Sequence, residues 1–502
     1  MEANGNSKSL EIRQRLSHPI LDADAHWIEF EPAVFDYLKD VAGADMVASY
    51  QSWLRNRSLF AWYRLSPEER RDARALRPIW WPFAAKNTLD RATATLPKLL
   101  HERLDETGID FTVIYPSLGL IASRIDDEDL RRAVCRAFNK FSADAFRDYS
   151  DRITPAAIIP MQTPEEAIAE LEYAVNALGL KTLFMAAYAV RPIPYVERKF
   201  GEEAGRFAYW LDFFGLDSQY DYDPVWAKCV ELKVVPGFHS SGFWGGRASP
   251  TNFMHNHIGH FAAAGEAVCR SLFMGGVTRR FPSLKFAFLE CGVGWAASLY
   301  SDLISHWEKR NIKAMVNYDP ANLDQQLFLN LCRKYGGPIF DGRLDDVSNL
   351  AASPRAAATR EDPAMLDEFA PCKISDKHEI KDLFVPHFYF GCESDDPITA
   401  WAFDTKKNPY GAKLKAIFSS DIGHWDVVDM RDVIAEAYEL VEHGLLNEDE
   451  FRDFAFANVA RMWCSMNPNF FKGTIVEGEV AKLLRSGTAR AEDRSHQATE
   501  TD

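Results

Sequence analysis

Two segments decide how the chain is read: ILDADAH (20–26) near its start and AIFSSDIGH (416–424) near its end. Each is an apolar run of strand length that finishes in acidic residues and a histidine. Six runs of similar length lie between them: FTVIYPS (111–117), ITPAAIIP (153–160), TLFMAA (182–187), VVPGFHS (234–240), KFAFLECG (285–292) and FYFGCES (388–394). Stretches with helical spacing separate the runs. One of them, TPEEAIAELEYAVNALG, opens on a Thr163/Glu166 capping box. Eight buried strands alternating with helices predict an α/β fold, a (β/α)8 TIM-type barrel. No run opens a G-x-G-x-x-G or a P-loop, which argues against nucleotide binding.

The spacing of the runs is uneven. Long insertions are expected after strand 1 (about 30–100) and after strand 6 (about 295–385), and in this fold such βα segments fall at the catalytic face. The first carries Arg55, Arg57, Trp80 and Trp81 and reads as a lid or pocket wall, with an aromatic face and a carboxylate clamp. The second reads as a lid or a subunit contact. Polar composition predicts a mobile N-terminal segment over 1–17 and a disordered tail over 485–502, leaving 18–484 as one barrel domain.

The net charge of −16 excludes general phosphate-backbone binding, so no nucleic acid partner is expected. No stretch approaches the apolar length of a membrane span, and no signal-peptide pattern opens the chain. Eight scattered cysteines without a C-x-x-C pair suggest reduced thiols and a cytoplasmic protein. The 13% aromatic content is mostly assigned to core packing.

Chemistry is expected at the strand ends. Alternation along strand 1 lets Asp24 and His26 point together into the barrel mouth. Strand 5 ends at His239, strand 6 at Glu290, and strand 8 at Asp421 with His424 three residues on. Two carboxylates and two imidazoles from strands 1, 5 and 8 would form a divalent metal site suited to Zn, Mn or Fe. Asp22 lies where a cation could gather it with the other carboxylates. His424 would orient Asp421 or touch substrate. His257 and His260, three apart, would share a face if helical, as helix-cap and core groups or with one of them reaching the pocket. Arg279 and Arg280 read as structural, at the end of the helix before strand 6.

The D-A-D-A-H opening, His239 and the S-D-x-x-H segment at 420–424 resemble the amidohydrolase superfamily. Together with FMGGVTRRFPSLKFAFLECGVGW (273–295), they are similar to the amidohydrolase-related branch that includes 2-amino-3-carboxymuconate semialdehyde decarboxylase and the resorcylate-type decarboxylases. The resemblance implies Asp24, His26, His239 and Asp421 as metal ligands. Asp24 departs from the common His-x-His pattern, and no lysine ends strand 4, which implies no carboxylated-lysine binuclear centre. Glu290 stands where many relatives carry a catalytic histidine.

The function expected on these grounds is metal-dependent decarboxylation or hydrolysis of a small, carboxylated organic compound. One divalent ion is expected, with Asp421, Glu290 and His424 as catalytic groups. A second reading has Glu290 and His260 binding a second ion or touching substrate, in a dinuclear Fe or Mn oxygenase that hydroxylates an unactivated carbon. A third is a catalytically silent subunit of a larger complex. A homodimer or hetero-oligomer is expected.

Overall fold

The computed structural model describes residues 7–56, 62–79, 85–239, 248–319, 322–346 and 366–486. All eight apolar runs form strands: β1 (Leu21–Trp27), β2 (Phe111–Pro116), β3 (Ile153–Ile159), β4 (Thr182–Ala186), β7 (Gly237–His239), β8 (Phe286–Phe288), β9 (Phe388–Cys392) and β10 (Lys415–Phe418). They pair in parallel in that order. Closure is made by the chain just beyond β10, where Asp421 N donates to Asp24 O (2.9 Å) and His26 N donates to Ile422 O (2.7 Å). The fold is therefore the (β/α)8 barrel that the alternation of runs predicts.

Phenylalanines contribute much of the packing between neighbouring strands. The Phe238 and Phe390 rings both lie 5.8 Å from Phe288 and nearly parallel to it, and all three are buried. Outside the sheet, the Thr163/Glu166 capping box forms, and Glu166 also pairs with the buried Arg131 on the preceding helix. One carboxylate thus starts a helix and ties two helices together. The eight cysteines are buried and unbridged. Among the described residues no helix is long and apolar enough to cross a membrane.

Three features differ from the reading of the sequence. Residues 8–15, expected to belong to a mobile segment, form a helix capped by Ser7. Ile12 is buried, Arg13 pairs with Asp110, and Ser9 Oγ accepts from Ala435 N, so a polar segment is held by a few directed contacts. Second, an antiparallel hairpin, β5 (Ala189–Pro192) with β6 (Tyr209–Asp212), intervenes between β4 and β7. It is anchored by the buried Arg191–Asp212 pair at 3.1 Å. Third, His257 and His260 do not share a helix. One helix, Phe253–His257, ends before Gly259, whose φ of 75° breaks the path, and the next starts at His260.

Between β1 and β2 the chain forms helices Glu31–Ala42, Ala44–Asn56, Pro67–Asp72, Thr88–Thr93 and Pro97–Thr107. Part of this insertion packs on the segment after β7: Trp62 Nε1 donates to Pro250 O, and Arg77 N to Ser249 O, both at 3.0 Å. Arg55 is exposed. Arg57, Trp80 and Trp81 lie outside the described residues. Between β8 and β9 stand helices Gly294–Arg310 and Gln325–Tyr335, and the tail beyond 486 lies outside the described residues.

Candidate metal centre

The C-terminal ends of β1, β7 and β8, with the turn after β10, bring the strand-end residues to one point at the barrel mouth. A register irregularity between Asp22 and Ala25 separates the roles of the β1 residues. Asp22 turns to its neighbours: its carboxylate accepts from Thr112 Oγ1 (2.8 Å), Ser420 Oγ (2.7 Å), Ser420 N (2.9 Å) and Asp24 N (3.2 Å). With its oxygens so occupied it ties β1 to β2 and to the β10 turn. It is not free to gather a cation, as its place in the sequence had suggested.

Asp24, His26 and His239 stand differently. His26 Nε2 is 3.2 Å from His239 Nε2 and 3.5 Å from both Asp24 Oδ1 and Asp421 Oδ1. His239 Nε2 lies 2.9 Å from Glu290 Oε2 and 4.0 Å from Asp24 Oδ2. All of these side chains are buried. Both oxygens of Asp24 lack a hydrogen-bond partner among the described residues, while Glu290 Oε2 and Asp421 Oδ1 meet imidazole nitrogens. Buried acceptors without donors are costly unless something supplies positive charge.

His424 completes the group. Its ring stacks on His26 with centroids 3.6 Å apart, and its Nδ1 is 2.8 Å from Asp421 Oδ1. Close approach of this turn to β1 depends on Gly423, with φ of 100°, where a Cβ would sit 2.0 Å from His26 O. Glu290 and Asp421 are themselves in the left-handed region, at φ of 55° and 54°. Two non-glycine carboxylates held this way at one site indicate strain that the surrounding fold maintains.

The electrostatics are one-sided. Burial pushes the carboxyls of Asp24, Glu290 and Asp421 well above the usual carboxylate range, and their mutual repulsion adds to it for Asp24 and Asp421. Burial likewise holds His26 well below the ordinary imidazole value and His424 down to about 3. Among the described residues no lysine or arginine pairs with these acids; their close nitrogen partners are histidines. Neutral imidazoles and crowded carboxyls are the donor set a divalent cation would organise, and a cation would reverse the upward carboxyl shifts. Two overlapping groups have ligand-spaced atoms, Asp24 with His26 and His239, and His26 with Glu290, Asp421 and His424.

His260 is brought near but not into these groups. Its Nδ1 sits 3.0 Å from His257 O, and its ring lies 4.0 Å from Phe261, which in turn is 5.7 Å from His239. Trp425 lies 5.5 Å from the His257 ring, adding an aromatic wall. Arg279 bonds to Cys372 O and Glu379, and Arg280 to Asp223, the structural roles expected. Two acids were not singled out in the sequence. Glu393, in the run that forms β9, is pushed up to about 9 by burial and by Glu290 and Asp426; Asp426 lies two residues past His424 and is raised by burial. The strand-end rule that finds Glu290 also reaches Glu393.

No match is found among curated proteins. Solved structures similar to the chain include a dihydroxybenzoic acid decarboxylase from Polaromonas sp. JS666 with bound manganese and 2-nitroresorcinol, at 15% identity and TM-score 0.45 over 89% of this chain and 97% of that one. A 5-carboxyvanillate decarboxylase from Novosphingobium aromaticivorans DSM 12444, complexed with manganese, is 15% identical, with TM-score 0.44 over 89% and 96%. An amidohydrolase from Mycobacterium avium subsp. paratuberculosis K-10 is 16% identical, with TM-score 0.48 over 89% and 100%. The amidohydrolase family model matches residues 22–315, more than half of the sequence and a span that includes Asp24, His26, His239 and Glu290. The chain belongs to the amidohydrolase family.

Proposed function

We propose that the chain is a divalent-metal-dependent enzyme that decarboxylates or hydrolyses a small carboxylated organic compound. One observation carries the reading: two imidazole Nε2 atoms and three buried carboxyls converge, with both Asp24 oxygens unpartnered among the described residues. Asp24, His26, His239 and Asp421 would hold the ion, and the carboxylate share of that set favours Mn or Fe over Zn. When bound, the ion supplies Lewis-acid polarisation of a substrate oxygen.

The chain's own residues do the rest. His424 orients Asp421 through its Nδ1. Glu290, with Oε2 2.9 Å from His239 Nε2, is placed to pass a proton at the substrate. Loss of carbon dioxide leaves a carbon that must be protonated, and an acid at the position of Glu290 serves that step.

The test is turnover of a panel of hydroxybenzoic and unsaturated dicarboxylic acids by metal-replete protein, with carbon dioxide release and hydrolysis followed separately. Glu290→Gln should keep its metal and lose at least about 100-fold in kcat, within the range for a general acid. Full activity in E290Q would remove Glu290 from the chemistry.

A further inference from the structure

The loop that follows β2 contrasts with the acidic centre beside it. Its backbone is fixed by Glu29, whose carboxylate accepts from Ser117 N (3.1 Å), Leu118 N (2.8 Å) and Gly119 N (3.0 Å). The chain then makes a short 3-10 helix, Gly119–Arg124. In this stretch the hydroxyls of Ser117 and Ser123 are buried without a hydrogen-bond partner among the described residues. Each such group in a folded chain calls for a ligand or water.

Arg124 is the sharper case. It is half-buried, and among the described residues its one hydrogen bond goes from Nη2 to Tyr188 Oη at 2.6 Å, with the guanidinium carbon 5.2 Å from the centre of that ring. Among the described residues no carboxylate lies within ion-pair distance of it. The fully buried arginines behave otherwise: Arg103 pairs with Asp90, Arg131 with Glu166 and Arg191 with Asp212. Arg124 instead keeps a half-buried guanidinium beside a tyrosine, with no acid among the described residues to neutralise it.

Its position supplies the explanation. The loop springs from Tyr115, whose ring is 6.1 Å from His26 and 5.9 Å from His239. On the other side Tyr188, the partner of Arg124, lies two residues past the end of β4, whose Ala186 is paired with His239 of β7. The rim therefore offers hydrogen-bond donors where the centre offers acceptors. We propose that Arg124, braced by Tyr188, is the residue that binds the substrate carboxylate, with the Ser117 and Ser123 hydroxyls supporting it. Among the described residues Nε and Nη1 have no acceptor, and a planar carboxylate matches the guanidinium fork. The assignment rests on the reading of the centre as a site for a carboxylated compound, and it selects acids over their neutral amides.

Calorimetric titration with benzoate and with benzamide tests it, on wild type, Arg124→Met, Arg124→Lys and Tyr188→Phe, each in metal-replete and metal-free form. Wild type should prefer benzoate. R124M should weaken benzoate at least tenfold, leave benzamide within twofold and keep the wild-type metal content, whereas R124K should recover part of the loss and Y188F should fall between. Benzoate binding in R124M within twofold of wild type, or a wild type that does not prefer the acid, would overturn the assignment. A wild type with no metal and no turnover would instead sink the proposed function, while the benzoate comparison on metal-free protein would still decide the role of Arg124.

Discussion

The Nε2 atoms of His26 and His239 face each other across 3.2 Å, at the point where the first and fifth strands of the barrel end. Two imidazole nitrogens at that distance either share a proton or turn both lone pairs toward a cation. Burial opposes charging His26, and three carboxyls crowd the same point, so the second arrangement answers more of the unpaired groups.

Metal uptake should release protons. Burial pushes the carboxyls of Asp24 and Asp421 well above the usual carboxylate range, and ligation requires the ionised forms. Apparent Mn affinity should therefore rise with pH and fall in acid. Titrations in buffers of different ionisation enthalpy measure the proton count; no dependence on buffer would mean the carboxyls are already ionised.

The strained carboxylates should exchange function for stability. Glu290 and Asp421 sit at φ of 55° and 54°, where a side chain costs about 1–2 kcal/mol. Glu290→Gly should be more stable than Glu290→Ala by about 1 kcal/mol, and the same order should hold at Asp421. Urea denaturation of the four variants reads it, and equal stabilities would show that the backbone is relaxed there.

Asp22 should act through its neighbours. Asp22→Ala strands the Thr112 and Ser420 donors, at a cost of about 3 kcal/mol. It should also weaken metal binding by about 10–100-fold, because the β10 turn that carries Asp421 loses its anchor. A destabilised variant with wild-type metal affinity would confine Asp22 to the scaffold.

Glu29 should make stability depend on pH. Burial raises its carboxyl to about 7, against three backbone donors that pull it down. A carboxyl raised on folding contributes stability that is fully present below its unfolded value of about 4.5 and is lost as pH climbs through 7, about 3 kcal/mol in all. Glu29→Gln should be less stable overall but flatter across that window in thermal melts, and an unchanged slope would contradict this origin.

Much of this was legible in the sequence because strand periodicity carries direction. Asp24, His26, His239, Glu290 and Asp421 each end an apolar run, so the fold alone brings them to one mouth. What alternation could not show is the β1 irregularity that turns Asp22 away from Asp24 and His26. Arg124 and Asp426 lie beyond the strand ends, where the direction of the chain depends on contacts such as Glu29 with Ser117–Gly119 rather than on local pattern. The β5–β6 hairpin was hidden because its strands are four residues each and half-exposed. The N-terminal helix was hidden because one buried isoleucine and a few polar contacts dock it.

Metal content is the most direct measurement: elemental analysis of protein purified without added metal, for wild type, His26→Ala and His239→Ala. Wild type should carry about one divalent ion per chain or take one up on addition of Mn, and each variant should bind at least about 100-fold more weakly, beyond the loss typical of an outer-shell change. A wild type that holds no metal and takes none up, or histidine variants that load as fully as wild type, would contradict a metal centre at the barrel mouth.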